Sequence, residues 1–235
     1  MKNFVKIFIF LIGILFISEG YTKCPTKDMI INIGGIIFDS KTLLPIESAK
    51  VYNEQGGLIA TTDTNGYFSG KLQYNRSNNG IKFKIRIEKK GYLLFTQSEN
   101  WADTKKEEIN VNYYFGIKKS RESSEDSFSQ FYLSNDISFK SVSNNFKSVI
   151  EKLKFNNTIN SFKKGNQNSF FEIDESYYLI SNTGWLKLES PKSLININSS
   201  KKIPAENINS HLKRHEIKDI LHTENGEIKI VTYKK

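Results

Sequence analysis

The run Lys82-Phe83-Lys84-Ile85-Arg86-Ile87-Glu88 alternates charge and apolar bulk at every step. A period of two belongs to a strand with one face on a core, so Phe83, Ile85 and Ile87 are expected inside and the charged side chains outside. Outward from this run, short β-type segments recur between turn residues: Asn32 to Phe38, Ala49 to Asn53, Leu58 to Thr62, Tyr67 to Leu72, Leu93 to Gln97 and Ile109 to Ile117. Nothing between Ile31 and Ile117 sustains the three-four spacing of an amphipathic helix. Short strands with frequent turns indicate an antiparallel sandwich.

The turns sharpen that reading. Thr62-Asp63-Thr64-Asn65-Gly66-Tyr67-Phe68 places Asx residues and a glycine between two β runs, where the side chains close the turn and Gly66 takes positive φ. The segment lacks the spaced carboxylates and terminal Glu of a calcium loop. Four pieces together, Ile33-Gly34-Gly35-Ile36-Ile37-Phe38-Asp39, Leu44-Pro45-Ile46-Glu47-Ser48-Ala49-Lys50-Val51-Tyr52, the Thr62 to Phe68 turn, and Lys90-Gly91-Tyr92, resemble the carboxypeptidase regulatory-like domain in order and spacing. The resemblance covers about residues 30–118. It implies a mainly β protein that begins with a transthyretin-like, seven-stranded antiparallel β-sandwich. Such modules accompany metallocarboxypeptidases and precede many bacterial outer-membrane receptors, and this one brings no catalytic residues to transfer.

Residues 119–135, with Ser-Arg-Glu-Ser-Ser-Glu-Asp-Ser among them, read as a linker. Residues 136–235 then read as a small α+β module. Phe146, Val149, Ile150 and Leu153 predict a helix capped by Ser143 or Asn144. Strands are expected at Phe170 to Ile173, Tyr177 to Ser181 and Trp185 to Leu188, with Asn182-Thr183-Gly184 as a tight turn. A short helix from Pro204 to Lys213 and a hairpin of Glu216 to Leu221 with Glu227 to Thr232 complete the module. Ile203-Pro204-Ala205-Glu206-Asn207-Ile208 and Asn225 to Lys234 resemble the closing portion of the plug domain of TonB-dependent receptors, without the alternating strands that would build a transmembrane barrel afterwards.

Residues 1–20 read as a secretory signal peptide: two early lysines, an apolar run from Ile7 to Ile17, and Ser18-Glu19-Gly20 as the cleavage site. The apolar run is too short to span a bilayer, so the mature chain is expected to carry no transmembrane span and to be periplasmic, outer-membrane-associated or secreted. Cys24 follows Lys23 instead of the small residue a lipobox requires, which leaves lipidation open. With 235 residues, 38% hydrophobic, the chain is long enough to bury a core, and one cysteine excludes an internal disulfide framework or multi-Cys zinc site. A formal charge of +9, spread over both modules behind an export signal, suits anionic envelope surfaces and not nucleic acid.

Few residues suggest chemistry. His211, His215 and His222 lie close in sequence and are the candidate metal ligands, but no His-Glu-x-x-His accompanies them and Lys213 and Arg214 crowd them with positive charge. Asp174 and Glu175 are adjacent carboxylates that read as solvated loop charge. No nucleophile elbow or phosphate-binding glycine loop is present. Trp101 and Trp185 are candidates for a sugar-stacking platform. The sequence thus points to a non-catalytic exported envelope protein that binds or assembles with an envelope protein or outer-membrane receptor component. It requires no cofactor, and the terminal hairpin offers a sheet edge for pairing. The alternatives are a metal-assisted hydrolase built on the three histidines, or a carbohydrate-binding module with a glycan as ligand.

Overall fold

A computed structural model describes residues 28–75, 80–102, 106–121 and 126–233. Cys24 and residues 1–20, read above as an export signal, lie outside them. The protein is mainly β and divides into two compact units between Ser143 and Asn144.

The described residues of the first unit form eight strands: β1 (Asp28–Asp39), β2 (Lys50–Asn53), β3 (Leu58–Thr61), β4 (Tyr67–Asn75), β5 (Ile81–Glu88), β6 (Phe95–Trp101), β7 (Glu108–Ile117) and β8 (Phe128–Ser134). They form two sheets, β4-β1-β7-β8 and β3-β2-β5-β6, with one shared core. β5 supplies Ile81, Phe83, Ile85 and Ile87 to that core, as its alternation requires. The opposite sheet contributes Met29, Ile31 and Ile33 from β1 and Val111, Tyr113 and Phe115 from β7. The pairing is not antiparallel throughout, because β1 and β7 run parallel from Ile30↔Glu108 to Asp39↔Ile117. Between them the chain visits the other sheet twice, which is the long crossover that parallel neighbours need.

β1 is buried on both faces, with Asn32, Ile36 and Phe38 also covered on the side away from the core. The cover is the segment read as a linker. Its second half is β8, antiparallel to β7 from Asn110↔Ser134 to Gly116↔Phe128. The chain then crosses the outer face of the sheet: Asn110 and Asn112 donate to the Asn135 and Asp136 carbonyls, Tyr67 to the Ile137 carbonyl at 2.8 Å and Tyr114 to the Val142 carbonyl at 2.9 Å. Helix α1 (Phe139–Lys163) begins there, earlier than the apolar stripe suggests. Phe139 and Val142 extend the stripe towards the N-terminus, so Ser143 and Asn144 lie inside the helix. Ser138 precedes the first turn, and its N–H is held by Asp136 Oδ1 at 2.8 Å.

The Asp63 turn is built as its sequence demands. Asp63 Oδ1 accepts from the N–H groups of Asn65 at 2.8 Å and Tyr67 at 2.9 Å, and Gly66 has φ +68°. A Cβ on Gly66 would stand 2.5 Å from the Ile37 carbonyl oxygen and 3.0 Å from Pro45. Gly66→Val therefore combines left-handed strain with a clash, and should lower stability by more than the ~1 kcal/mol of the strain alone. Thermal denaturation checks this; an unchanged melting temperature would mean that the turn does not form.

The second unit carries a three-stranded sheet, β9 (Phe170–Ile173), β10 (Ser176–Ile180) and β11 (Trp185–Leu188), in the order β11-β10-β9. Phe162 of α1 shares a core with Phe171, Ile173, Tyr178 and Ile180 of β9 and β10, with Phe155 packed against it. A second sheet, β13-β12-β15-β14, is made of β12 (Leu194–Ile197), β13 (Lys201–Pro204), β14 (Ile217–His222) and β15 (Ile228–Thr232). The β12–β13 hairpin was not evident in the sequence. Its turn passes through Asn198 and Ser199, both with positive φ, where serine gives a weaker signal than glycine. Pro204 ends β13 and leads into a 3-10 turn (Ala205–Asn207) and the one-turn helix α2 (Ile208–His211).

Candidate functional site

The edge strands β6 and β8 face each other along one open side of the sandwich. Phe95, Gln97, Glu99 and Trp101 of β6 alternate with exposed residues. Gln97 accepts a hydrogen bond from Ser129 Oγ and donates to Glu99 Oε1 at 3.0 Å, while Trp101 Nε1 donates to Glu99 Oε2 at 2.6 Å. Glu99 is buried, and no cation among the described residues pairs with it. Burial, and next the Glu99 carboxylate beside it, push the Tyr113 phenol far above its ordinary value, so Tyr113 stays protonated at any physiological pH.

This polar row fixes the Trp101 ring, which meets Phe83 edge-on at 5.0 Å and stacks on Phe131 at 5.8 Å. A cleft of about 690 Å³ opens there, at the Ser134 end of β8. Its apolar wall is Ile81, Trp101, Ile109, Phe131 and Leu133, and Lys106, Glu108, Asn110 and Asn135 form the polar rim. Phe131 is 45% and Leu133 74% exposed. Such a surface can take a bulky apolar group, oriented by the rim. No sequence motif marks it, because its wall comes from four strands that only pairing and sheet stacking bring together.

Of the residues singled out in the sequence, Trp101 lines this cleft and the others lie elsewhere. His211 ends α2, His215 sits in the 3-10 turn Arg214–Glu216, and His222 ends β14; all three are exposed. His211 Nδ1 lies 3.0 Å from the Asn207 carbonyl oxygen. Among the described residues no three His, Cys, Asp or Glu side chains are grouped to hold a metal. His222 lines a second cleft, about 740 Å³, beside the Lys202–Glu227 ion pair of 3.0 Å. Asp174 and Glu175, both with positive φ, form the two-residue loop between β9 and β10, and Asp174 pairs with Lys154 at 2.6 Å. Trp185, in the second unit, is 55% exposed and packs edge-on against Phe155 at 4.7 Å, and Trp101, in the first, is partly covered. The C-terminal end supplies Ile203, Ala205, Ile208, Ile217, Ile228 and Ile230 to its unit's core, which makes that stretch structural before anything else.

No family model matches the chain, and no curated protein does. Among solved structures it is similar to a 3-chlorocatechol 1,2-dioxygenase from Rhodococcus opacus, at 13% identity over 41% of this chain and 62% of that one, with a TM-score of 0.28. A catechol 1,2-dioxygenase from Acinetobacter matches at 13% identity over 44% and 55%, TM-score 0.26. A membrane-associated protein of unknown function from Bacteroides fragilis matches at 15% identity over 41% and 30%, TM-score 0.26. The chain spans less than two thirds of each of these proteins, and likenesses this slight carry no functional argument. Among the described residues no helix is long and apolar enough to cross a membrane.

Proposed function

We propose that the protein is an exported, non-catalytic module of the cell envelope that binds another envelope protein through the open side of its first unit. The observation that carries this reading is the cleft beside Trp101, with Leu133 standing 74% exposed at its mouth. An exposed apolar wall of this kind, rimmed by polar groups, is characteristic of interaction surfaces. The signal-like N-terminus and the resemblance of residues 30–118 to the carboxypeptidase regulatory-like domain support placing it in the envelope as a binding module.

A photoreactive phenylalanine analogue at Asn135, on the rim, tests this in cells. It should give a discrete adduct with one envelope protein, while the same group at Thr96, on the outer face of β6, gives none. Leu133→Asp should lower the adduct yield about tenfold, the effect of losing one well-buried apolar contact. The mature chain in the envelope fraction should start at Tyr21. Absence of the Asn135 adduct, or a cytoplasmic product starting at Met1, would overturn the reading.

A further inference from the structure

We infer that the first unit docks on an anionic lipid bilayer through the end of the sandwich where β1 and β7 finish. That end lies about 30 Å from the Trp101 cleft, the length of β7 from Glu108 to Ile117, so the inference goes beyond the role proposed above and does not rest on it. Three segments are joined there. Leu93 N–H donates to the Lys118 carbonyl at 2.8 Å and Ser120 N–H to the Gly91 carbonyl at 3.0 Å, which fastens loop 89–94 to the continuation of β7. Tyr92 and Lys119 both reach the Asp39 carboxylate, and Asp39 N–H donates to the Leu44 carbonyl at 2.9 Å, which brings in loop 40–49.

This end presents two kinds of surface. Leu44, Leu93 and Leu94 are 64%, 45% and 62% exposed. Of the four exposed leucines outside β8 among the unit's described residues, these are three. Beside them opens a cleft of about 620 Å³ whose cations are Lys50, Lys89 and Lys90, with Leu94 on its wall. Its one carboxylate, Glu88, is held by Arg86 at 3.1 Å, and Lys89 Nζ is aimed by a hydrogen bond to the Glu47 carbonyl at 2.6 Å. Lys118, Lys119 and Arg121 add positive charge on the adjoining segment, against Glu47 and Asp126 as the exposed acidic side chains of the joined segments among the described residues.

The pairing of these surfaces selects the occupant. A soluble anion or an acidic glycan would use the lysines and leave the leucines in water. An acidic protein would need an apolar pocket for each protruding leucine. A bilayer needs none, because its anionic headgroup layer lies directly over an apolar one and takes both kinds of group at once. Phosphate-bearing headgroups then sit at the lysine cleft while the leucines enter the acyl boundary.

Vesicle cosedimentation of the full mature chain tests this, with phosphatidylcholine vesicles that contain or lack about 30% phosphatidylglycerol. Binding should be at least tenfold tighter to the anionic vesicles, and should fall at least tenfold in about 1 M salt, where charges are screened beyond about 3 Å. Leu93→Asn with Leu94→Asn removes apolar surface at constant charge and should weaken binding about tenfold. Lys50→Gln with Lys90→Gln should do the same. Lys192→Gln with Lys201→Gln, an equal loss of exposed charge in the second unit, should weaken it less than about twofold. Circular dichroism checks that each variant is folded. No binding to anionic vesicles, or equal binding to both kinds, would overturn the inference. Loss in the lysine pair without loss in the leucine pair would assign this end to a soluble anion, and equal loss in the second-unit control would assign the attraction to net charge; either result overturns it too. None of these outcomes bears on the Asn135 adduct, which tests the Trp101 cleft.

Discussion

Gly35→Val should leave the first unit unable to fold. Gly35 lies mid-way along β1, opposite Phe68 of β4 on one side and Tyr113 of β7 on the other. A Cβ there would overlap the Tyr113 carbonyl oxygen and stand 2.7 Å from the Phe68 ring. Neither obstacle can yield. The carbonyl belongs to the central pair of the sheet, and the Phe68 ring is buried against Phe115 at a centroid distance of 6.1 Å. Ordinary overpacking of a core costs about 1–3 kcal/mol because side chains shift. Here backbone must shift, so the cost should approach the ~5–15 kcal/mol that holds a domain together. Circular dichroism and urea unfolding should show no cooperative transition for the first unit. Gly91→Ala is the control: Gly91 has φ +87°, but a Cβ there would meet nothing within 4 Å, so only the strain of about 1 kcal/mol applies. A Gly35→Val protein with the parent's melting temperature would mean that β1 and β7 are not neighbours in this register.

The same glycine pair illustrates what the sequence discloses. Ile33-Gly34-Gly35 reads as a strand with no visible reason for its glycines. In the structure Gly35 makes room for Phe68, and Gly34 lets Ile137 cross the outer face, 2.8 Å from where a Cβ would be. Strands whose faces differ in polarity were legible, β5 above all. β8 was not, because serine and glutamine interrupt its apolar residues on both faces and a polar serine-rich run precedes it. Its burial pattern, with Phe131, Tyr132 and Leu133 all exposed, follows neither a helix nor a half-buried strand. β8 is nevertheless the fourth strand of its sheet, and it moves the end of the first unit from the expected linker to Ser143. The cleft was illegible for a related reason. Ile81, Trp101, Ile109 and Leu133 have no spacing in common, and only the registers of two strand pairs and the stacking of the two sheets bring them to one place.

Asp39→Ala should destabilise the first unit by about 2–4 kcal/mol at neutral pH, the range for breaking a buried hydrogen-bonded charge network. Asp39 is 3% exposed at the end of β1. Its Oδ1 accepts from the N–H groups of Lys41 at 3.0 Å and Thr42 at 2.8 Å, and its Oδ2 accepts from the Tyr92 hydroxyl at 3.1 Å. Lys119 lies 3.3 Å from Oδ2 but is half exposed, so this ion pair adds little. The carboxylate thereby ties the Phe38-Asp39 and Gly91-Tyr92 segments, which are far apart in sequence. Burial pushes the Asp39 carboxyl up, yet the two N–H groups, Tyr92 and Lys119 together outweigh it and hold the group below its ordinary value of 3.8. Since the folded state binds this proton less readily than the unfolded chain, unfolding takes a proton up. The stabilisation is complete above the unfolded value of about 3.9 and is lost as pH falls through the lower folded value. Asp39→Asn keeps the shape but not the charge, so the stability gap between parent and this variant should narrow steadily as the pH falls from about 5 through the carboxylate range. Urea unfolding across that range measures it. A gap that stays constant would show that Asp39 acts through its shape alone and that its charge contributes nothing to closing the corner.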